Sequence, residues 1–155
     1  MKTITIIQPW ATLIVVLEKQ YETRSWLTNH RGNIAIHAGK KIDQDACQQS
    51  EIKAALSRHG YTAENLPTGV VLATAQLKEC WKIVRPNWQA KTAPVELNAS
   101  DGRRQLWAGY LGDKKEFLFG NYDNGRYAWE LADVKQLPAP IPAKGQQGLW
   151  NWMEI

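Results

Sequence analysis

Short β-branched or aromatic stretches, separated by proline and glycine turns, recur along most of this 155-residue chain and leave room for two helices near its start. Thr-Ile-Thr-Ile-Ile at 3–7 reads as a strand. Tyr21 to Trp26 and Asn33 to His37 read as the next two, parted by the turn Asn29-His30-Arg31-Gly32. Val70 to Leu77 is strongly β-like and continues through Trp81 to Val84. Tyr127 to Val134 follows the turn signal Asn124-Gly125, with Tyr127, Trp129 and Leu131 on one face. Leu149 to Trp152 is a last short strand or turn.

Proline in Gln8-Pro9-Trp10 suits a helix start, and Leu13, Ile14 and Leu17 carry the helical spacing over 9–19 against the β-branched run Ile14-Val15-Val16. Asp43 is placed to cap a second helix through Ile52, Ala55 and Leu56, ending near Gly60. Pro138, Pro140 and Pro142 mark an extended segment that cannot be a central strand. Residues 85–115, with Pro86, Pro94, Gly102, Gly109 and Gly112, read as a long irregular connection. The pattern predicts a single domain over 1–155, mostly β with α: a small β-barrel decorated with short helices.

A hydrophobic share of 44% and a charged share of 22% argue against a disordered chain. The net charge of +4 permits an anionic partner without demanding one. Cys47 and Cys80 form no C-x-x-C pair, which argues against structural zinc and fits a reducing compartment. No apolar run reaches the ~18 residues of a membrane span, and no signal peptide is visible. A cytoplasmic location without membrane contact is the expectation.

Lys19, Glu22 and Arg24 are the first candidate functional group. On a strand over 21–26, Glu22, Arg24 and Trp26 share a face, and Lys19 at the helix end can join them. Spacing alone leaves two readings open, a site or a surface salt-bridge cluster. Lys40-Lys41 could combine with Lys19, Arg24 and Arg31 into a phosphate-attracting patch, or lie solvated in a loop. Arg103-Arg104 could reach a nucleic-acid backbone or point into water. His30, His37 and His59 show no metal-ligand spacing, and a lone strand histidine such as His37 is more often structural. The chain holds no G-x-S-x-G, H-E-x-x-H, Walker A or G-x-G-x-x-G motif, so neither metal nor cofactor is expected.

The run Gln8-Pro9-Trp10-Ala11, then Lys19-x-x-Glu22-x-Arg24-Ser25-Trp26, His30-Arg31-Gly32 and Lys40-Lys41 resembles the activating signal cointegrator homology (ASCH) domain family. Pro67-x-Gly69 and the strand that follows continue the resemblance, which is specific over residues 4–82. Gly125 to Leu131 and the closing Gly145…Gly148-Leu149-Trp150 stretch look like the C-terminal part of bacterial and phage members.

The resemblance implies a PUA-like β-barrel whose helix-lined cleft takes RNA or modified bases, with Lys19, Glu22 and Arg24 lining it. The expected partner is RNA, single-stranded nucleic acid or a nucleotide. Arg24 and Lys40 or Lys41 would meet phosphate, Trp10, Trp26 or Tyr127 would stack on a base, Glu22 would accept hydrogen bonds from a base edge or sugar, and Arg31 and His37 complete the expected ligand set. Some family members resemble hydrolases that deacylate acylated cytidine nucleosides, and others are linked to RNA cleavage. The deacylase pattern places threonine three residues after its lysine, where this chain has Glu22, so that activity is not carried over. The alternative is nonetheless a nucleoside- or RNA-directed hydrolase using Lys19 and Glu22. A protein-interaction role is a third reading, which a large apolar patch on 85–115 would favour.

Overall fold

A computed structural model describes residues 1–85, 94–107 and 114–153. The chain divides into two compact units, one of Met1–Lys19, Gly32–Gln76 and Asp133–Ile155, the other of Gln20–Arg31 and Leu77–Ala132. Among the described residues, no helix is long and apolar enough to cross a membrane. The secondary structure is mostly strand with short helices, the α+β class expected.

In the first unit, β1 (Lys2–Gln8) pairs parallel with β3 (Gly32–Ile42) and antiparallel with β8 (Leu149–Asn151). The Val70–Gln76 part of β4 (Val70–Val84) lies beyond β3, and the Asp133–Pro142 part of β7 (Tyr127–Pro142) lies beyond β4. The prolines thus occupy an edge, where a missing N–H leaves no ladder bond unmade. Ile4, Ile6, Ile34 and Ile36 are at most 1% exposed. Burying each such side chain contributes about 1.5–3 kcal/mol.

Helix α1 covers Trp10–Val15 and is shorter than the expected 9–19. Pro9 is its N-cap and offers no side-chain acceptor. Gln8, the last residue of β1, supplies one: its Oε1 accepts the Thr12 N–H at 3.0 Å. Gln8 Nε2 donates to Thr12 Oγ1 at 2.8 Å and to the Pro67 carbonyl at 2.7 Å. The helix stops where the β-branched run begins to dominate, and Leu17 turns left-handed at φ 66°. Glu18 and Lys19 N–H groups then close back onto the Leu13 carbonyl.

The second predicted helix is two. Asp43 caps α2 (Gln44–Gln48) by accepting the Ala46 N–H at 3.0 Å. Extended backbone at Gln49 (ψ 134°) interrupts the run before α3 (Ser50–Ser57), which buries Ile52, Ala55 and Leu56 as the spacing indicated.

In the second unit, β2 (Tyr21–Arg24) pairs antiparallel with the start of β7. β7 neighbours the Leu77–Val84 part of β4, and β4 pairs with β5 (Val95–Asn98), which pairs with β6 (Arg104–Trp107). Part of the connection read as irregular is therefore a β5–β6 hairpin, its turn carrying Gly102 at φ 91°. The remainder of that reading, 86–93 and 108–113, lies outside the described residues. Gly125 (φ 88°) donates to the Ile83 carbonyl while the Ile83 N–H donates to the Arg126 carbonyl, a bulge that needs a left-handed residue. α4 (Lys114–Leu118) presents Glu116, whose carboxylate accepts the Gln20 and Tyr21 N–H groups at 2.6 and 3.2 Å. One face of this sheet buries Tyr21, Trp81, Ile83, Val95, Leu97 and Ala128.

Candidate functional site

The ten residues singled out from the sequence divide evenly between the two units. Trp10, Lys19, His37, Lys40 and Lys41 belong to the first. Glu22, Arg24, Trp26, Arg31 and Tyr127 belong to the second.

In the first unit, the β1–β3 register sets Thr5 opposite His37, and β8 brings Trp150 alongside. Trp150 Nε1 donates to Thr5 Oγ1 at 3.0 Å. His37 Nε2 lies 2.7 Å from the Ala143 carbonyl, which can only accept, so Nε2 carries the proton. Nδ1 then accepts from the Thr5 hydroxyl at 3.1 Å. Burial pushes the His37 pKa down, and the Ala143 bond works against that shift. Both ring nitrogens are engaged, which is the structural role favoured for a lone strand histidine.

This polar group forms one wall of a cleft of about 420 Å³. Lys40 and Lys144 also line it, with Gln146 and Gln147. Both lysines are exposed, and neither has an ion-pair partner among the described residues. No carboxylate appears among the lining residues. The cleft falls within the volume range of small-molecule sites. Lys40 and Lys41 occupy the end of β3, not a loop, where the register with β1 shifts, and Lys40 but not Lys41 is among the cleft's lining residues.

Lys19 is 2% exposed, and its Nζ stands 5.9 Å from the Trp10 ring centroid, a cation–π distance. Glu18 beside it is also buried and takes Arg58 at 2.9 Å and His59 at 3.5 Å.

In the second unit, Arg24 Nη2 pairs with Glu22 Oε2 at 3.1 Å, as their shared strand face predicted. Trp26 meets Trp129 edge to face at 4.8 Å, and Trp129 Nε1 reaches the Trp26 carbonyl at 3.4 Å. Arg31 Nη2 pairs with Glu79 at 2.5 Å while Nη1 donates to the Thr28 and His30 carbonyls. Arg103 joins Glu79 from the other side and also pairs with Asp101. Glu79 loses hydration, which raises its pKa, but the Cys80 N–H and the two guanidiniums outweigh that and hold it below the ordinary value. Arg31 and Tyr127 line a cavity of about 240 Å³ with Lys82, Thr28, Asn98 and Ser100.

Thr5, Lys144, Glu79, Lys82 and Asn98 were not singled out from the sequence. Each is an ordinary residue type whose place depends on register between distant strands. The one signal within reach was the Gly145…Gly148 break, which brings Lys144 to the cleft.

The chain matches the family model described as ASCH domain over residues 4–140. Among solved structures, it is similar to the crystal structure of a ZmASCH mutant from Zymomonas mobilis in which phenylalanine replaces a tyrosine. The identity is 15%, over 99% of this chain and 89% of that one, with a TM-score of 0.50. No curated protein matches the chain.

Proposed function

We propose that this chain, which belongs to the ASCH domain family, is a binding module for RNA, single-stranded nucleic acid or a nucleotide. The observation that carries the reading is the 420 Å³ cleft, with two exposed lysines and no carboxylate in its lining. A phosphate entering it meets two ammonium groups that need not first leave an acidic partner. Gln146 and Gln147 offer both donors and acceptors for a base edge or sugar. The neutral His37 contributes the shape of the wall rather than charge.

The test is binding of a panel of nucleoside monophosphates and short RNAs by isothermal calorimetry. Lys40→Glu combined with Lys144→Glu should weaken binding at least tenfold, the size expected when attraction at close range becomes repulsion. Unchanged affinity in that variant would remove the cleft from the binding site. Glu22→Ala and Arg24→Ala test the motif residues in the same assay.

A second reading, hydrolysis of nucleosides or RNA, draws on the burial of Lys19, the condition such acid–base chemistry requires. Incubation with acylated cytidine and with labelled RNA decides it: turnover that disappears in Lys19→Ala supports the enzyme, and equal rates in both dismiss it for those substrates.

A further inference from the structure

One face of the second unit's sheet buries Trp81, Ile83 and Leu97; on the other, which also buries Cys80 and Trp129, the register lines up five side chains in a single row. Arg24 stands opposite Tyr127 on β2 and β7. The Gly125 bulge, through the Ile83 N–H to the Arg126 carbonyl, sets Tyr127 beside Lys82 on β4. Lys82 stands opposite Asn98 on β5, and Asn98 opposite Arg104 on β6. Directly opposed residues project from the same face. The row therefore reads Arg24, Tyr127, Lys82, Asn98, Arg104 across five strands, on the side away from the Trp81–Ile83–Leu97 core.

At about 4.8 Å per strand the row spans about 19 Å, with a cation at each end and one in the middle, about 10 Å apart. The arginine at each end is steered by a carboxylate on its own face. Glu22 pairs with Arg24 at 3.1 Å, and Glu96 pairs with Arg104. Lys82 is exposed and has no ion-pair partner among the described residues. Tyr127 and Asn98, both half-buried, lie between the cations and line the 240 Å³ cavity together with Lys82. That cavity is too small for a whole nucleotide chain and suited to one base or sugar.

We infer that this row is a track for single-stranded polynucleotide. Alternating cations and a ring along an extended polar strip match a chain that alternates phosphates and flat bases. Lys82 and the two arginines take successive stretches of backbone, Tyr127 stacks on a base, and Asn98 meets a base edge. Its length suits the lower end of the ~4–16 nucleotides covered by comparable single-strand grooves. The inference rests on the nucleic-acid reading above but uses none of the cleft residues.

The experiment measures fluorescence anisotropy of labelled oligouridylates from two to twelve nucleotides over a salt series, beside calorimetry with uridine monophosphate. Wild-type affinity should rise with length up to about the span of the row and then level off. Lys82→Ala should weaken octauridylate binding and reduce the slope of log affinity against log salt by about 0.7, one phosphate contact on a single strand. Tyr127→Ala should cost roughly tenfold, and Tyr127→Phe should retain affinity because the stacking face survives. Circular dichroism melts confirm that these surface variants fold.

Octauridylate affinity and salt slope unchanged in both Lys82→Ala and Tyr127→Ala would overturn the track. So would a wild-type protein that does not bind octauridylate at low salt. If uridine monophosphate binding is also lost in the Lys40→Glu, Lys144→Glu variant, the cleft stands while the track falls. If octauridylate binding depends on Lys82 and uridine monophosphate does not bind, the track stands and the cleft reading falls.

Discussion

His37 donates from Nε2 to the Ala143 carbonyl at 2.7 Å, tying the strand that carries the Lys40-Lys41 pair to the segment that carries Lys144. Protonating the ring would place a hydrogen on Nδ1, where the Thr5 hydroxyl now donates. Burial already holds the His37 pKa below its ordinary value, with the Ala143 bond opposing. The folded state therefore binds fewer protons than the unfolded state between the two pKa values. The stability from neutral His37 is complete above about pH 6.5 and declines as pH falls towards the folded value. Melting temperature should fall across that window in the wild type, and this part of the fall should be absent in His37→Gln. Identical slopes in the two proteins would refute the linkage.

Gly145 lies directly over the same pair. A Cβ built there would meet His37 Cε1 at 2.8 Å and Thr5 Oγ1 at 2.9 Å, closer than packing tolerates. Both atoms belong to side chains fixed by hydrogen bonds, so they cannot easily yield. Gly145→Ala should destabilise by about 1–3 kcal/mol, the usual cost of overpacking. The double variant Gly145→Ala, His37→Ala should lose less than the sum of the single changes, because the methyl then enters the space of the deleted ring. Strict additivity in denaturant unfolding would show that the contact is not the cause.

Glu79 is 6% exposed and holds Arg31 and Arg103. Glu79→Gln should destabilise by about 1.5–3 kcal/mol, the range for hydrogen bonds to charged groups, since both arginines keep access to water. Because the folded pKa lies below the unfolded one, the stability it supplies is complete above the unfolded value, about pH 4.5. It is lost as pH falls through the folded value. The wild type should converge on the variant in acid unfolding below that pH, and a constant gap across the whole range would contradict the assignment.

What the sequence revealed follows the range of the interactions involved. The 3–7 strand, the Asp43 cap, the long Val70–Val84 strand and the Glu22/Arg24 pair depend on neighbours a few residues away, and each was legible. The break between α2 and α3 was not, because no proline or glycine marks Gln49. The β5–β6 hairpin was hidden by the proline and glycine content around it. The cleft and the polar row depend on pairings such as Thr5 with His37 and Lys82 with Asn98, which no local pattern announces. Of the Lys40-Lys41 pair, only Lys40 is among the residues that line the cleft with Lys144, at a strand end where the register shifts and no local pattern announces it.

Trp26, expected to offer a stacking surface, is half-buried, and its ring meets the fully buried Trp129 edge to face at 4.8 Å. Such a contact is worth about 0.5–1.5 kcal/mol beyond the area it covers. Trp129→Ala should therefore cost about 3–5 kcal/mol, as for other buried aromatic deletions. Trp26→Ala should cost clearly less, because its ring is only half-buried. The diagnostic variant is Trp26→Phe, which keeps an edge-to-face partner and the backbone carbonyl that accepts from Trp129 Nε1. It should restore most of the stability lost in Trp26→Ala while leaving octauridylate affinity at the wild-type value. A Trp26→Phe protein that folds normally but binds octauridylate at least tenfold more weakly would place Trp26 on the ligand surface.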